Sequence, residues 1–186
     1  MAKTILSGIE TIEYAAASTL GVVTDANWKK IENITMGSVS IAEGAQTKTD
    51  IMAEDKDTAV FSVYAPAEGD VLTLSVLDHN PTLLQELYNV KWTAATSTMD
   101  FKAKKKIANL AFRLTSRPVD GQKQVITFFN TEVQTGTDGA ITKDGAQSKV
   151  LTATIMAYRP TGETEDYIYS KKTVTASGAV VNSTAA

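Results

Sequence analysis

The chain has no cysteine and a single histidine, His79. The first absence removes disulfides, thiolate metal sites, cysteine nucleophiles and lipid anchors on cysteine. The second removes every metal centre that needs two imidazoles. Proline is scarce, at 4 residues, and aromatics make up only 7%. Neither sign of charge dominates: 18 Lys and Arg against 21 Asp and Glu leave −3. That balance offers no bulk attraction to nucleic acid. Long apolar runs are missing too. The longest, Ala15 to Val23, is broken by Ser18, Thr19 and Gly21, and it is too short to span a bilayer. Glu10 and Glu13 interrupt any signal-peptide core. A protein made and kept in a cytoplasm is therefore expected.

What is present points to strands. Threonine is the commonest residue, at 26 of 186, and it favours pleated, half-buried positions. Val39 and Ile41 alternate with Ser38 and Ser40 in Met36–Glu43. Phe61 and Val63 alternate with Ser62 and Tyr64 in Thr58–Ala65, and Leu72, Leu74 and Val76 with Thr73 and Ser75 in Val71–Leu77. The stretch Ala65–Gly69 reads as a turn joining the last two. Further strands are expected at Leu110–Thr115, Val125–Phe129, Val150–Tyr158 and Asp166–Thr173. Asp138-Gly139 and Asp144-Gly145 are turn dipeptides. One short helix is expected over 80–88. Asn80 caps it, Pro81 takes its first position, and Leu83, Leu84 and Leu87 form its apolar stripe. The length fits one domain. The fold expected is all-β, a sandwich or barrel of roughly eight or nine strands with that helix docked on it. Residues 1–30 read as an extended N-terminal arm, 31–174 as the β core and 175–186 as a flexible C-terminal tail. On this reading, removal of residues 1–26 leaves a folded chain that no longer assembles.

The search for chemistry returns little. There is no phosphate-binding glycine loop and no nucleophile elbow. His79 stands between Asp78 and Asn80 at a helix entrance, where a polar residue is ordinary. The clusters Glu54/Asp55/Asp57 and Glu163/Glu165/Asp166 lack the spacing of a calcium loop. No catalytic residue, metal or cofactor is expected, and the chain does not read as an enzyme.

Charge is unevenly placed. Residues 1–90 hold five lysines, no arginine and thirteen acids, while residues 91–186 hold thirteen bases and eight acids. The two halves are −8 and +5. The acidic stretch Asp50–Asp57, with Glu54, Asp55 and Asp57, reads as an exposed loop. Lys102, Lys104, Lys105 and Lys106 read as an exposed basic loop. Only Phe101 is a neighbouring aromatic, so base stacking is poorly supported. These acids and lysines are the candidate contacts between copies. Trp28 joins them, because tryptophan is enriched at interface hot spots. Core filling is the ordinary reading of both Trp28 and Trp92, with a subunit contact as the alternative.

Four features together resemble the major tail tube proteins of long-tailed bacteriophages. They are the approach Trp28–Ile41, the charged loop Asp50–Asp57 before the strand pair, the small helix Asn80–Tyr88 directly after that pair, and the closing β-run from Ile107 to Thr173. The resemblance implies a β-sandwich with a flanking helix, assembling as hexameric rings that stack into a hollow tube through which DNA passes. It implies partners as well: further copies of the chain, and tape-measure, tail terminator and distal tail proteins. It places the protein in the virion tail, assembled in the host cytoplasm. Two other readings stand beside it. One is another virion or injection-system shell protein, such as a capsid decoration protein. The other is a carbohydrate- or ligand-binding β-sandwich module, which would expose clustered aromatics. Tyr64, Tyr88, Tyr158, Tyr167 and Tyr169 read instead as scattered.

Overall fold

The computed structural model describes residues 8–46, 48–52, 58–64, 69–77, 81–104, 106–139 and 147–179. In chain order the first strands are β1 (Ile9–Ala16), β2 (Lys29–Ile31), β3 (Ser40–Ala42), β4 (Lys48–Met52), β5 (Ala59–Tyr64) and β6 (Val71–Val76). The helix α1 (Pro81–Leu87) follows. Then come β7 (Val90–Thr93), β8 (Thr98–Phe101), β9 (Ala108–Ser116), β10 (Gln122–Asp138), β11 (Ser148–Ile155) and β12 (Ser170–Thr175). The described residues are all-β with one short α-helix.

Eight strands make one antiparallel sheet in the order β2-β1-β9-β10-β11-β6-β3, with β12 also paired to β10. The sheet curls on itself. Just beyond β2, Ile34 bridges Val76 of β6. The Thr35 N–H donates to the Ser75 carbonyl at 2.8 Å, and the Leu77 N–H to the Asn33 carbonyl at 2.9 Å. One end of the strand order is thereby tied to a strand near the other end, which encloses a single core.

That core is built by period-2 alternation. Ile12 of β1, Leu72 and Leu74 of β6, Phe112 and Leu114 of β9, Phe128 and Val133 of β10 and Leu151 of β11 meet in it, all buried. Leu83 and Leu87 of α1 enter the same cluster. Seven residues of helix are marginal alone, and burial of this stripe is what holds them. Asn80 lies outside the described residues.

β10 is the spine. Its 17 residues pair with β9 on one side, and on the other with β12 near Gln122–Thr127 and with β11 from Thr131 to Asp138. The register against β9 slips between Phe128 and Thr131. This bulge is internally satisfied: the Thr131 hydroxyl donates to the Leu110 carbonyl at 2.8 Å and the Asn130 amide to the Ala157 carbonyl at 3.0 Å. Bulges of this kind bend a strand and increase its twist, which suits a strand shared by three neighbours.

Several expectations are corrected. The N-terminal stretch is not all arm: β1 lies between β2 and β9, with Ile12 and Tyr14 buried. Its hold is both apolar and ionic, since Glu13 faces Arg113 across the pair. The strand at 125–129 is much longer, because Thr131–Asp138 carries few apolar residues yet pairs fully with β11. β5 and β6 are not partners: β5 pairs β4, whereas β6 pairs β11 and β3. β7 and β8 form an unexpected hairpin, with Trp92 half-buried opposite Met99. The tail does not fray at once. The Ala176 N–H reaches the Gly121 carbonyl at 2.8 Å, and the Ala179 N–H the Thr175 hydroxyl at 3.0 Å. Residues 180–186 lie outside the described residues.

Candidate self-assembly surface

The hairpin of β4 and β5 is its own two-stranded sheet. Residues opposite each other in an antiparallel pair share a face. Thr49 opposes Val63 and Ile51 opposes Phe61, so Ile51, Phe61 and Val63 form one apolar face. Asp50 opposes Ser62 on the other face, where the Ser62 hydroxyl and the Lys48 ammonium both donate to the Asp50 carboxylate. These two contacts, Lys48 first, hold the Asp50 carboxyl below its ordinary 3.8. The polar face is therefore internally satisfied. The apolar face is uncovered: Ile51 is 40% exposed, Phe61 56% and Val63 49%. Asp50 thus belongs to a strand rather than to a loop. Glu54, Asp55 and Asp57, which follow β4 in the sequence, lie outside the described residues.

A second surface surrounds a hollow of about 260 Å³ between α1, the β8–β9 connection and the β10–β11 pair. Tyr88, just after α1, donates its hydroxyl to the Gly136 carbonyl at 2.7 Å, and burial pushes its phenol up. Phe101, the last residue of β8, meets the Tyr88 ring edge to face at 6.3 Å. Lys149 of β11 lies against both rings, 5.6 Å from one centroid and 5.5 Å from the other. Its ammonium donates to the Thr137 hydroxyl at 2.9 Å. Lys102, Lys104 and Lys106 complete the rim, all exposed. Among the described residues, none of these four lysines forms an ion pair. Lys105 lies outside the described residues. The sequence pointed to three of the lysines but not to Lys149, which stands alone after a turn, 43 positions from Lys106.

Trp28 is engaged within the chain. Its ring lies under the Arg113 guanidinium, 4.6 Å from the centroid, and Arg113 also bonds Glu13 at 2.7 Å and Asp25 at 2.8 Å. Desolvation alone would lower the Arg113 pKa; the two carboxylates outweigh it, so the net direction is up. Asp50 meets Lys48, not a lysine of the basic loop.

The tyrosines are less scattered than they read. Tyr158 packs on Phe129 at 4.8 Å and on Tyr167 at 6.0 Å, and Tyr169 on Phe128 at 5.7 Å. They pack chiefly on one another and on the sheet. His79 lies outside the described residues. Among the described residues, no group of three or more His, Cys, Asp or Glu is placed to hold a metal ion, and no helix is long and apolar enough to cross a membrane.

Compared with known families and with curated proteins, the chain matches no family model and no curated protein.

Proposed function

We propose that this chain is a structural subunit that polymerises, as stacked rings, into the tail tube of a long-tailed bacteriophage. One observation carries the reading: the β4–β5 hairpin leaves Ile51, Phe61 and Val63 uncovered on one face. A two-stranded hairpin is at best marginally stable in water and needs a surface to pack on. Among the described residues nothing covers this one, so a further copy is the natural cover. A hairpin that packs on a different site of the next copy makes a head-to-tail contact. Such contacts generate rings or open filaments. The resemblance to tail tube proteins rests on the approach Trp28–Ile41, the charged stretch Asp50–Asp57, the small helix and the closing β-run, while the two strands between stretch and helix, β5 and β6, are not partners.

Negative-stain electron microscopy of the purified, concentrated protein tests the reading. Hollow filaments of uniform width with a ring repeat are expected. Closed trimers, or a monomer at every concentration, would rule out the tube and favour a decoration protein.

A further inference from the structure

The hollow around Lys149 collects positive charge that nothing in the described chain neutralises. Lys102, Lys104 and Lys106 come from one connection and Lys149 from a strand on the far side of the hollow. Like charges brought together without a counter-charge repel, and the arrangement costs free energy unless an anion joins it. Lys149 is positioned rather than free, because two rings and the Thr137 hydroxyl hold it. At its edge one apolar side chain is open to solvent: Phe101 is 55% exposed.

The same order of chemistry, with opposite charge, occurs once more in the chain. The β4–β5 hairpin carries Ile51 and Phe61 uncovered, and the connection between its strands contains Glu54, Asp55 and Asp57. We infer that the lysine-rimmed hollow is the receptor for the β4–β5 hairpin of a second copy, whose connecting residues Glu54, Asp55 and Asp57 supply the carboxylates, with Phe101 meeting its apolar face. This deepens the assembly reading above and rests on it for the identity of the partner. Nucleic acid is the weaker occupant. The rim has no arginine, and the whole chain is −3. The carboxylates, by contrast, are supplied by every further copy at matching stoichiometry.

Exposed pairs are individually weak, and only their repetition around an assembly gives avidity and direction. Charge reversal is therefore the test, on the full chain, read by sedimentation velocity and electron microscopy. Lys102→Glu with Lys104→Glu and Lys106→Glu should raise the concentration needed for association by about tenfold or more. Glu54→Lys with Asp55→Lys and Asp57→Lys should do the same, and the six changes in one chain should recover most of the loss. A smaller variant, Lys102→Glu with Lys104→Glu, leaves Lys149 and its rings untouched and guards against misfolding, with circular dichroism as the check. If wild type forms tubes and the reversed variants form them equally well, the receptor is wrong and the tube reading stands. If wild type forms only closed oligomers, the tube reading fails, while the same reversals still decide the receptor. Binding of single-stranded DNA that is lost on lysine reversal, with association unchanged, would assign the hollow to nucleic acid and overturn the inference.

Discussion

The Arg113 guanidinium rests on the Trp28 ring at 4.6 Å while bonding Glu13 and Asp25. One side chain thus fastens the irregular Asp25–Trp28 segment to two neighbouring strands of the sheet. Glu13 is its partner across the β1–β9 pair, and Asp25 opens the turn before Trp28. The Arg113 side chain is 20% exposed and Glu13 24%, so that bond is partly shielded from water, whereas Asp25 is 91% exposed and its bond adds little. A hydrogen bond between charged groups in the shielded setting of Glu13 is worth about 1.5–3 kcal/mol. Arg113→Met keeps the stem and removes the fork. Expected are a loss of about 2 kcal/mol in urea unfolding and a changed Trp28 emission in a Trp92→Phe background. Unchanged stability and emission together would show that the contact is incidental.

Gly21 and Tyr158 are similarly matched. Gly21 has φ +69°, and a Cβ there would stand 2.6 Å from the Tyr158 ring. The ring cannot easily yield, because it is buried and packed between Phe129 and Tyr167. A side chain at left-handed φ costs about 1–2 kcal/mol before any clash. Gly21→Ala should therefore destabilise by about 2 kcal/mol or more. A thermal midpoint equal to that of wild type would refute the steric argument.

How much could be read from the residues depended on how strongly each strand alternates. β6 is Val-Leu-Thr-Leu-Ser-Val, and its buried positions fall where the pattern puts them. The helix stripe of Leu83, Leu84 and Leu87 was equally plain. β1 was hidden because Ile12 and Tyr14 are its strongest core residues, set among alanines and two glutamates. Its stabilising partner, Arg113, is 100 positions away from Glu13. The later half of β10 was hidden because its pairing with β11 is made by backbone, and backbone pairing leaves no side-chain signature. The lysine hollow was half visible for the same reason: Lys102–Lys106 is a run, whereas Lys149 joins it only through the fold. β5 was legible as a strand, but β4 was hidden in what reads as an acidic loop, and that no described residue covers the apolar face of the pair was not legible.

The place of β1 reverses one expectation about truncation. Removing residues 1–26 takes β1 from between β2 and β9 and exposes their apolar partners. Ile12 and Tyr14 alone contribute on the order of 1.5–3 kcal/mol each by burial. With typical stabilities of ~5–15 kcal/mol, the truncated chain should lack a cooperative thermal transition. A sharp melt of residues 27–186 would mean that β1 is dispensable.

Tyr14 makes stability sensitive to alkali. Its phenol is pushed well above the ordinary 10.0, chiefly by burial and then by the Glu86 carboxylate that it hydrogen-bonds. The folded state therefore holds this proton where the unfolded chain releases it. The contribution is fully present below pH 10 and falls as pH rises above it. One retained proton corresponds to a slope of about 1.4 kcal/mol per pH unit. Tyr14→Phe should flatten the fall between pH 10 and 12 by about that amount. Other buried phenols, such as Tyr88, should leave some slope behind. Identical slopes in urea titrations of the two proteins would remove Tyr14 from the account.

The uncovered hairpin face separates folding from assembly. Ile51, Phe61 and Val63 are each 40% or more exposed, so their loss should cost the single chain little. Surface substitutions of this kind usually change stability by no more than about 0.5 kcal/mol. Threonine keeps the strand preference while removing the apolar area. A chain carrying Ile51→Thr, Phe61→Thr and Val63→Thr should melt like wild type and fail to assemble. The polar face supplies the control. Ser62→Ala removes a bond to Asp50 without touching the apolar residues, and it should assemble normally. Electron microscopy and sedimentation of the two variants side by side provide the readout. Assembly by the triple threonine chain would show that this face is not the contact. Loss of its cooperative melt would show that the face is already packed within the chain. With an unchanged melt and no assembly, the apolar face is needed between copies and not within one.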